Sequence, residues 1–272
     1  MTGPEPVGSR QVIKVGELSL VALSDGRFRM SREFLSSPAA HDELAGADGQ
    51  VDLPIGCFLL PGDEPLLIDI GYGPENPTGL LSGGWLLAEL AWAGYRPDDI
   101  TTIALTHPHP DHVGWLTSTD GTPTFPRARL ILADGDYGYF VRQERGDMAE
   151  HIRAGLSSML DLGRAELLTA ERALTPHLTA LPAPGHTPGH TVFAVHDHGE
   201  RALLLGDAIY CPQQLAHSDW SALSDVDPAL AARTRSALAR DLDRHGGTAV
   251  GAHFPGLVAA RVLAGPGSTR EG

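Results

Sequence analysis

Apolar residues in the first part of the chain recur mainly at strand spacing. Residues 11–23 alternate on both sides of a central turn, which predicts a hairpin, and a loop-rich segment is predicted to follow through Gln50. Residues 55–60 and 65–71 are apolar runs that flank the turn sequence PGDE. This arrangement is typical of two paired strands joined by a tight connection.

The spacing changes in the middle of the chain. Residues 85–95 carry apolar side chains at helical spacing, whereas residues 100–106 form an apolar run rich in β-branched residues that suits a buried strand. Residues 128–133 predict a further strand. The segment that follows is mostly helical in pattern and interrupted by glycines, which predicts a helical cap insertion over about residues 134–175.

The last part of the chain predicts strands, one long helix and a final strand. Asp227 followed by Pro228 predicts a helix start, the spacing after it is amphipathic, and Gly246 suits the helix end. The final strand leads into His253. The three strands predicted before this helix are residues 177–181, 190–197 and 200–207.

Grouped strands with helices between them predict an α/β fold of four layers, in which two mixed β-sheets pack together with helices outside. The length of 272 residues fits one domain, predicted over residues 1–272.

Composition narrows the class of function. The formal net charge of −14, without a Lys/Arg cluster, argues against nucleic acid as a partner. The N-terminus lacks the pattern of a secretory signal and no apolar run of membrane-spanning length occurs, so a cytoplasmic protein without a membrane partner is expected. The two cysteines, Cys57 and Cys211, are expected to be reduced thiols. The oligomeric state, including a homo-oligomer, is left open.

The sequence THPHPDH, residues 106–112, holds three imidazoles and one carboxylate. Proline restricts the residue before it to extended conformations, so His107 and His109 are predicted to face the same side. Beyond the second proline the chain has to change direction, which directs Asp111 and His112 toward a different point. One motif is therefore predicted to serve two metal ions. Imidazole and carboxylate ligands suit Zn²⁺, and also Mn²⁺, Fe²⁺ or Co²⁺.

Three further candidate ligands follow or precede apolar runs and lie beside glycines. They are His186 in PGHTPGH, Asp207 in LLLGDAIY and His253 in GAHF. Glycine permits close approach of backbone and metal, so these residues are predicted to join the same centre.

This ordered set of motifs, together with LLIDIG at residues 66–71, resembles the metallo-β-lactamase superfamily. The resemblance spans roughly residues 55–254 and implies an αββα sandwich with a dinuclear site at one edge. By motif position, it implies that His107, His109 and His186 hold one Zn²⁺, that Asp111, His112 and His253 hold the other, and that Asp207 bridges them. It also implies Asp69 as a hydrogen-bond acceptor behind a ligand histidine.

The resemblance implies a hydrolase in which a hydroxide that bridges the metals attacks an ester or lactone. Tyr210, three residues after Asp207, matches the spacing in quorum-quenching lactonases and is expected to assist at the carbonyl, while Asp111 is expected to orient the hydroxide or move its proton. The sequences HVGW and GAHFPG also resemble the methyl parathion hydrolase-like branch. Trp115 and Trp220 are expected near an acyl groove, and Trp85 and Trp92 in the core.

Other functions stay open at this point. A phosphotriester or thioester hydrolase of the same fold, a dioxygenase with a single iron, and a catalytically silent metal-binding partner protein are the alternatives to a lactone or ester hydrolase. His190 is expected to be structural rather than a ligand.

Overall fold

The computed structural model describes residues 10–74 and 79–262. Within these residues, fourteen strands form two sheets. The first sheet contains β1 (Gln11–Val15), β2 (Leu18–Met30), β3 (Val51–Leu60), β4 (Leu66–Ile68), β5 (Leu81–Ser82), β6 (Thr102–Ala104), β7 (Arg129–Ala133) and β8 (Ala165–Leu168). The second contains β9 (Arg172–Thr175), β10 (Leu178–Pro182), β11 (Thr191–Asp197), β12 (Glu200–Leu204), β13 (Gly247–Val250) and β14 (Ala260–Val262).

Six α-helices lie among the strands of the described residues. They are α1 (Pro38–Leu44), α2 (Leu86–Trp92), α3 (Pro110–Val113), α4 (Asp134–Asp136), α5 (Glu150–Asp161) and α6 (Pro228–His245). A π-helix at Tyr137–Arg142 extends α4, and short 3₁₀ turns occur at Pro97–Asp99, Gly206–Ala208, Pro212–Leu215 and Pro255–Leu257. No helix in the described part of the chain has the length and apolar character needed to cross a bilayer.

Both sheets are mixed, as the strand pattern predicts. In the first sheet the order is β1-β2-β3-β4-β6-β7-β8, with β5 paired to β2, and β4, β6, β7 and β8 run parallel. In the second the order is β14-β13-β12-β11-β10-β9, and only the β12 and β13 pair is parallel among the described strands. Parallel strands end at the same edge of a sheet, which is where the polar motifs lie.

Strand alternation separates the core into layers. Ile68, Ala104 and Ile131 face the second sheet, where they pack with side chains such as Phe193 and Leu204. Their neighbours in sequence turn to the outer face of the first sheet and pack against α2 and α5. A third apolar cluster joins the outer face of the second sheet to α6. This is the predicted four-layer αββα sandwich.

Most predicted elements agree with the structure. Gly16 takes a φ of 59° in the tight turn between β1 and β2, a conformation that glycine adopts without strain. The Asp227 side chain accepts a hydrogen bond from the Leu230 N–H at 2.9 Å at the start of α6, and Gly246 ends that helix with a φ of 68°. Cys57 and Cys211 are both free and buried.

Three predictions need correction. The segment predicted as loop-rich through Gln50 contains the end of β2 and all of α1. The segment predicted as a helical cap over 134–175 is helical only as far as Asp161, because β8 and β9 pair with β7 and β10. Trp92, predicted as core, is 49% exposed and lies under the Arg10 guanidinium, 4.6 Å from the ring centre.

Candidate metal centre

The candidate ligands lie on loops at one edge of the sandwich. The loop after β6 supplies residues 107–112, the loop between β10 and β11 supplies His186, and the residues after β12 and β13 supply Asp207 and His253. His109 is partly exposed, and the other six candidates are buried. Two groups of ligand atoms result. The first cluster is His107, His109 and His186, with Asp207 beside it, and the second cluster is Asp111, His112 and His253.

Three imidazole nitrogens meet in the first cluster. His109 Nδ1 lies 2.9 Å from His107 Nε2 and 3.0 Å from His186 Nε2. A neutral imidazole carries only one N–H, so His109 Nδ1 cannot make a well-aligned hydrogen bond to both of these nitrogens at once. Nitrogens bound at the corners of a tetrahedral zinc site lie roughly 3.3 Å apart, given Zn–N distances of about 2.0–2.1 Å. The arrangement therefore suits a cation between them.

Asp207 lies between the two clusters. Its Oδ1 is 3.1 Å from His112 Nε2 and 3.2 Å from His253 Nε2. Its Oδ2 is 3.7 Å from His186 Nε2 and 3.8 Å from His107 Nε2. One carboxylate oxygen thus faces each cluster, which is the geometry expected of a bridging ligand.

Several atoms of the second cluster and its surroundings are buried without a well-formed hydrogen bond. Among the described residues these include His112 Nε2, His253 Nε2 and Asp207 Oδ1. Buried polar atoms nearly always have a partner, so converging buried atoms of this kind suit a bound cation. Asp111 completes the group, with its Oδ2 at 3.4 Å from His253 Nε2. The donor set of both clusters fits two divalent cations.

Hydrogen bonds on the far side of the rings fix which nitrogen faces the centre. His112 Nδ1 lies 2.9 Å from Asp69 Oδ2, His253 Nδ1 lies 2.7 Å from the Pro54 carbonyl oxygen, and His186 Nδ1 lies 3.1 Å from Asp225 Oδ1. Each of these oxygens accepts, so each Nδ1 carries a hydrogen and each Nε2 is the nitrogen that points toward the centre. Asp69 occupies the predicted acceptor position.

The two clusters differ in their electrostatics. Burial, together with neighbouring imidazoles, lowers the pKa of His107 well below its usual range and that of His109 to about 3. Burial also opposes the charged forms of His112 and His253, but the carboxylates of Asp207 and Asp111 outweigh it. They raise the pKa of His112 well above its usual range and that of His253 to about 10. The carboxylates therefore favour positive charge at the second cluster.

A cavity of about 660 Å³ opens onto the centre. Asp111, Asp207 and His109 form its polar floor, and Phe28, Phe34, Tyr72, Leu80 and Leu81 supply most of its apolar wall. Neither lysine nor arginine occurs among its lining residues in the described chain. Trp115 and Trp220, predicted near an acyl groove, do not line it: Trp220 is buried beside Tyr210, and the Trp115 indole N–H donates to Asp25.

Tyr210 lines this cavity. Its ring stacks on His253 with centroids 5.3 Å apart, and its Oη lies 3.0 Å from Ser224 Oγ. Burial and the nearby Asp207 carboxylate raise the pKa of the phenol well above its usual range. The O–H is therefore kept at neutral pH.

His190 is buried beside the centre but faces it differently. Its Nε2 accepts a hydrogen bond from the Asp207 backbone N–H at 3.2 Å, which leaves it in a supporting position, as expected from the sequence.

Some residues that support the site carry no motif in the sequence. Asp225 contacts His186, Arg235 pairs with Asp225, and Asp25 holds two loops and the Trp115 indole. The sequence does not mark these residues, because charged residues are usually exposed and no local pattern shows which of them are buried with a partner.

Comparisons with known proteins agree with this architecture. A family model described as the metallo-beta-lactamase superfamily matches residues 52–253. The N-acyl homoserine lactonase AiiA of Bacillus thuringiensis subsp. kurstaki is 28% identical over 200 residues, covering 66% of this chain and 73% of that protein. The solved structure of AidC, described as a dizinc quorum-quenching lactonase, superposes with a TM-score of 0.78 at 25% identity and 92% coverage of both chains. The hydrolase AbOPH superposes with a TM-score of 0.81 at 24% identity, covering 98% and 97%, which supports the fold alone.

Proposed function

Because this chain belongs to the metallo-β-lactamase superfamily, we propose that it is a metal-dependent hydrolase that opens lactones or cleaves related esters. Its lactonase relatives support this reaction class, and acyl homoserine lactones are the first substrates to test. The observation that carries the proposal is the cavity, which joins a polar floor of candidate ligands to an apolar wall and a protonated phenol.

The proposed cofactor is a pair of Zn²⁺ ions, one held by His107, His109 and His186 and one by Asp111, His112 and His253, with Asp207 between them. Two bound divalent ions would lower the pKa of water to near neutrality and polarise a carbonyl oxygen. Residues of the chain orient the attacking water and stabilise the developing negative charge.

Asp111 acts on the attacking water, and Tyr210 acts on the carbonyl oxygen of the substrate. Burial works against the Asp111 carboxylate, but His112 and His253 lower its pKa, so it stays ionised and can orient the attacking water by accepting a hydrogen bond from it. It belongs to the second cluster and also lines the cavity. Tyr210, still protonated, donates a hydrogen bond to the oxygen on which negative charge develops.

The cavity wall selects an uncharged substrate. Phe28, Phe34 and Leu81 offer apolar surface to an acyl chain, and no cationic side chain among the described lining residues is available for a phosphate monoester or carboxylate. A neutral phosphotriester meets the same requirement, so it belongs in the substrate panel.

The test is a substrate panel run on the zinc-loaded protein. It contains acyl homoserine lactones, simple lactones, aryl esters, thioesters and phosphotriesters, with oxygen uptake measured in parallel. We expect turnover of lactones or aryl esters that is abolished in His109→Ala. Absence of any lactone or ester turnover by the zinc-loaded protein would refute the proposal, and oxygen consumption with an iron-loaded protein would favour the dioxygenase.

A further inference from the structure

Arg235 is a fully buried arginine on α6, with 0% of its surface exposed. Its Nη1 and Nη2 donate to Asp225 Oδ2 at 3.3 and 3.2 Å, and its Nε donates to the Ser218 carbonyl oxygen at 3.1 Å. The desolvation cost of a buried ion pair often cancels its attraction, so such a pair contributes little net stability.

Asp225 divides its two oxygens between the arginine and a candidate ligand. Oδ2 accepts from Arg235 and from the Ala222 backbone N–H at 3.0 Å. Oδ1 lies 3.1 Å from His186 Nδ1. Since Oδ1 can only accept, His186 carries its hydrogen on Nδ1, and Nε2 is left bare where it faces His109 and Asp207.

The loop that carries Asp225 also contacts the backbone of His186 and the phenol of Tyr210. Val226 N–H donates to the His186 carbonyl oxygen at 3.0 Å, and Asp227 N–H donates to the Gly185 carbonyl oxygen at 2.9 Å. Ser224 Oγ lies 3.0 Å from Tyr210 Oη. The loop of residues 218–227 is thus held by Arg235 on one side and contacts the first cluster on the other.

We propose that Asp225 and Arg235 are a positioning pair, which fixes the tautomer and orientation of His186 and so sets the metal affinity of the first cluster. Arg235 supplies the orientation, because its two N–H groups keep Asp225 turned with Oδ1 toward the imidazole. The inference rests on the proposed metal centre and deepens it. It concerns metal binding alone and does not depend on which substrate is hydrolysed.

Asp225→Asn tests the pair because the amide can satisfy only one side. Three donors, two from Arg235 and one from Ala222, converge where Oδ2 lies, so the amide oxygen has to take that place. The amide N–H₂ then donates to His186 Nδ1 and forces the hydrogen onto Nε2, the nitrogen that should bind the metal. Asp241→Asn is the matched control, since Asp241 lies on the same helix, pairs with Arg201 and contacts no candidate ligand.

Two measurements on the full chain test whether Asp225 and Arg235 position His186. Nitrogen-15 NMR of the metal-free protein, with the His186 signals assigned by comparison with His186→Ala, should show hydrogen on Nδ1 in the wild type and on Nε2 in Asp225→Asn. Titration of the metal-free protein with Zn²⁺ against a chromophoric chelator should show one of two binding steps weakened by about 10- to 100-fold, as expected for loss of a group that orients a ligand. Asp241→Asn should match the wild type in both.

Other results overturn the proposal. They are an unchanged tautomer in Asp225→Asn, unchanged Zn²⁺ affinity, equal weakening of both steps, or a wild type that binds no Zn²⁺. If Asp225→Asn does not fold, Arg235→Lys is the variant to test. We expect it to weaken one of the two Zn²⁺ binding steps by up to about tenfold. An unchanged Zn²⁺ affinity would contradict the positioning pair. A wild type that binds two Zn²⁺ but hydrolyses nothing refutes only the proposed function, because neither measurement uses a substrate.

Discussion

Asp25 is the buried carboxylate whose removal should cost the fold most, because it accepts hydrogen bonds from five donors. It lies at the irregularity in the pairing of β2 with β3, between Ser24 and Gly26, where the strand leaves the regular ladder. Oδ2 accepts from the backbone N–H groups of Tyr72 at 2.7 Å and Gly73 at 3.0 Å. Oδ1 accepts from the N–H groups of Gly84 at 3.2 Å, Leu86 at 2.8 Å and the Trp115 indole at 2.8 Å.

In Asp25→Asn, the amide N–H₂ has to face donors on one of the two sides. The less costly orientation sets it against Tyr72 and Gly73, which leaves two buried N–H groups without an acceptor. Each such group costs about 1–3 kcal/mol, or about 2–6 kcal/mol for both. Burial raises the pKa of Asp25, so removing the charge returns part of this cost. We expect the free energy of unfolding to fall by about 2–4 kcal/mol.

Urea unfolding of the metal-free protein, followed by tryptophan fluorescence, measures this loss. Asp52→Asn is the matched control, since Asp52 is a partly exposed carboxylate paired with Arg29 and should cost less than about 1 kcal/mol. A loss below about 1 kcal/mol for Asp25→Asn would contradict the reasoning that this carboxylate joins the loops beside the cavity.

Three further predictions concern the centre and its surroundings. Tyr210→Phe should keep the zinc content but lower kcat for lactone opening by about 10²–10³-fold, as loss of one oxyanion donor does; equal rates would remove the phenol from the mechanism. Asp136 is buried and its pKa is raised to about 7, mainly by burial. Since the folded chain then binds more protons than the unfolded chain between about pH 4 and 7, stability falls as pH rises through this window. Asp136→Asn should therefore gain about 2–3 kcal/mol relative to the wild type between pH 5 and pH 8 in metal-free unfolding measurements, and a constant difference would contradict the assignment. His109→Ala should lose metal by elemental analysis and also lose activity, whereas the exposed His196→Ala should keep both; metal retained in His109→Ala would exclude that residue as a ligand.

The parts of the site that could be predicted are those encoded by neighbours in sequence. The two prolines of THPHPDH and strand alternation predict that His107 and His109 lie together, and their ring centroids are 4.6 Å apart. Asp225 and His186 are 39 residues apart, and Arg235 reaches Asp225 because the loop before α6 folds back onto that helix. No local pattern encodes such contacts, so neither residue could be assigned a role from the sequence.

The errors in the fold also have physical causes. Residues 165–168, AELL, are good helix formers, but the open edge of β7 pairs with them and overrides that preference. Trp92 has helical spacing with Trp85, yet it is the last residue of α2 and is half-exposed, with the Arg10 guanidinium over its ring.

The number of zinc ions bound per chain tests the proposed centre most directly. The purified protein is stripped with a chelator, equilibrated with Zn²⁺, freed of unbound metal and analysed by elemental mass spectrometry. We expect two ions per chain in the wild type and one in His253→Ala, which alters only the second cluster. A wild type that retains fewer than two ions, or a His253→Ala variant that still retains two, would contradict a centre built from these seven side chains.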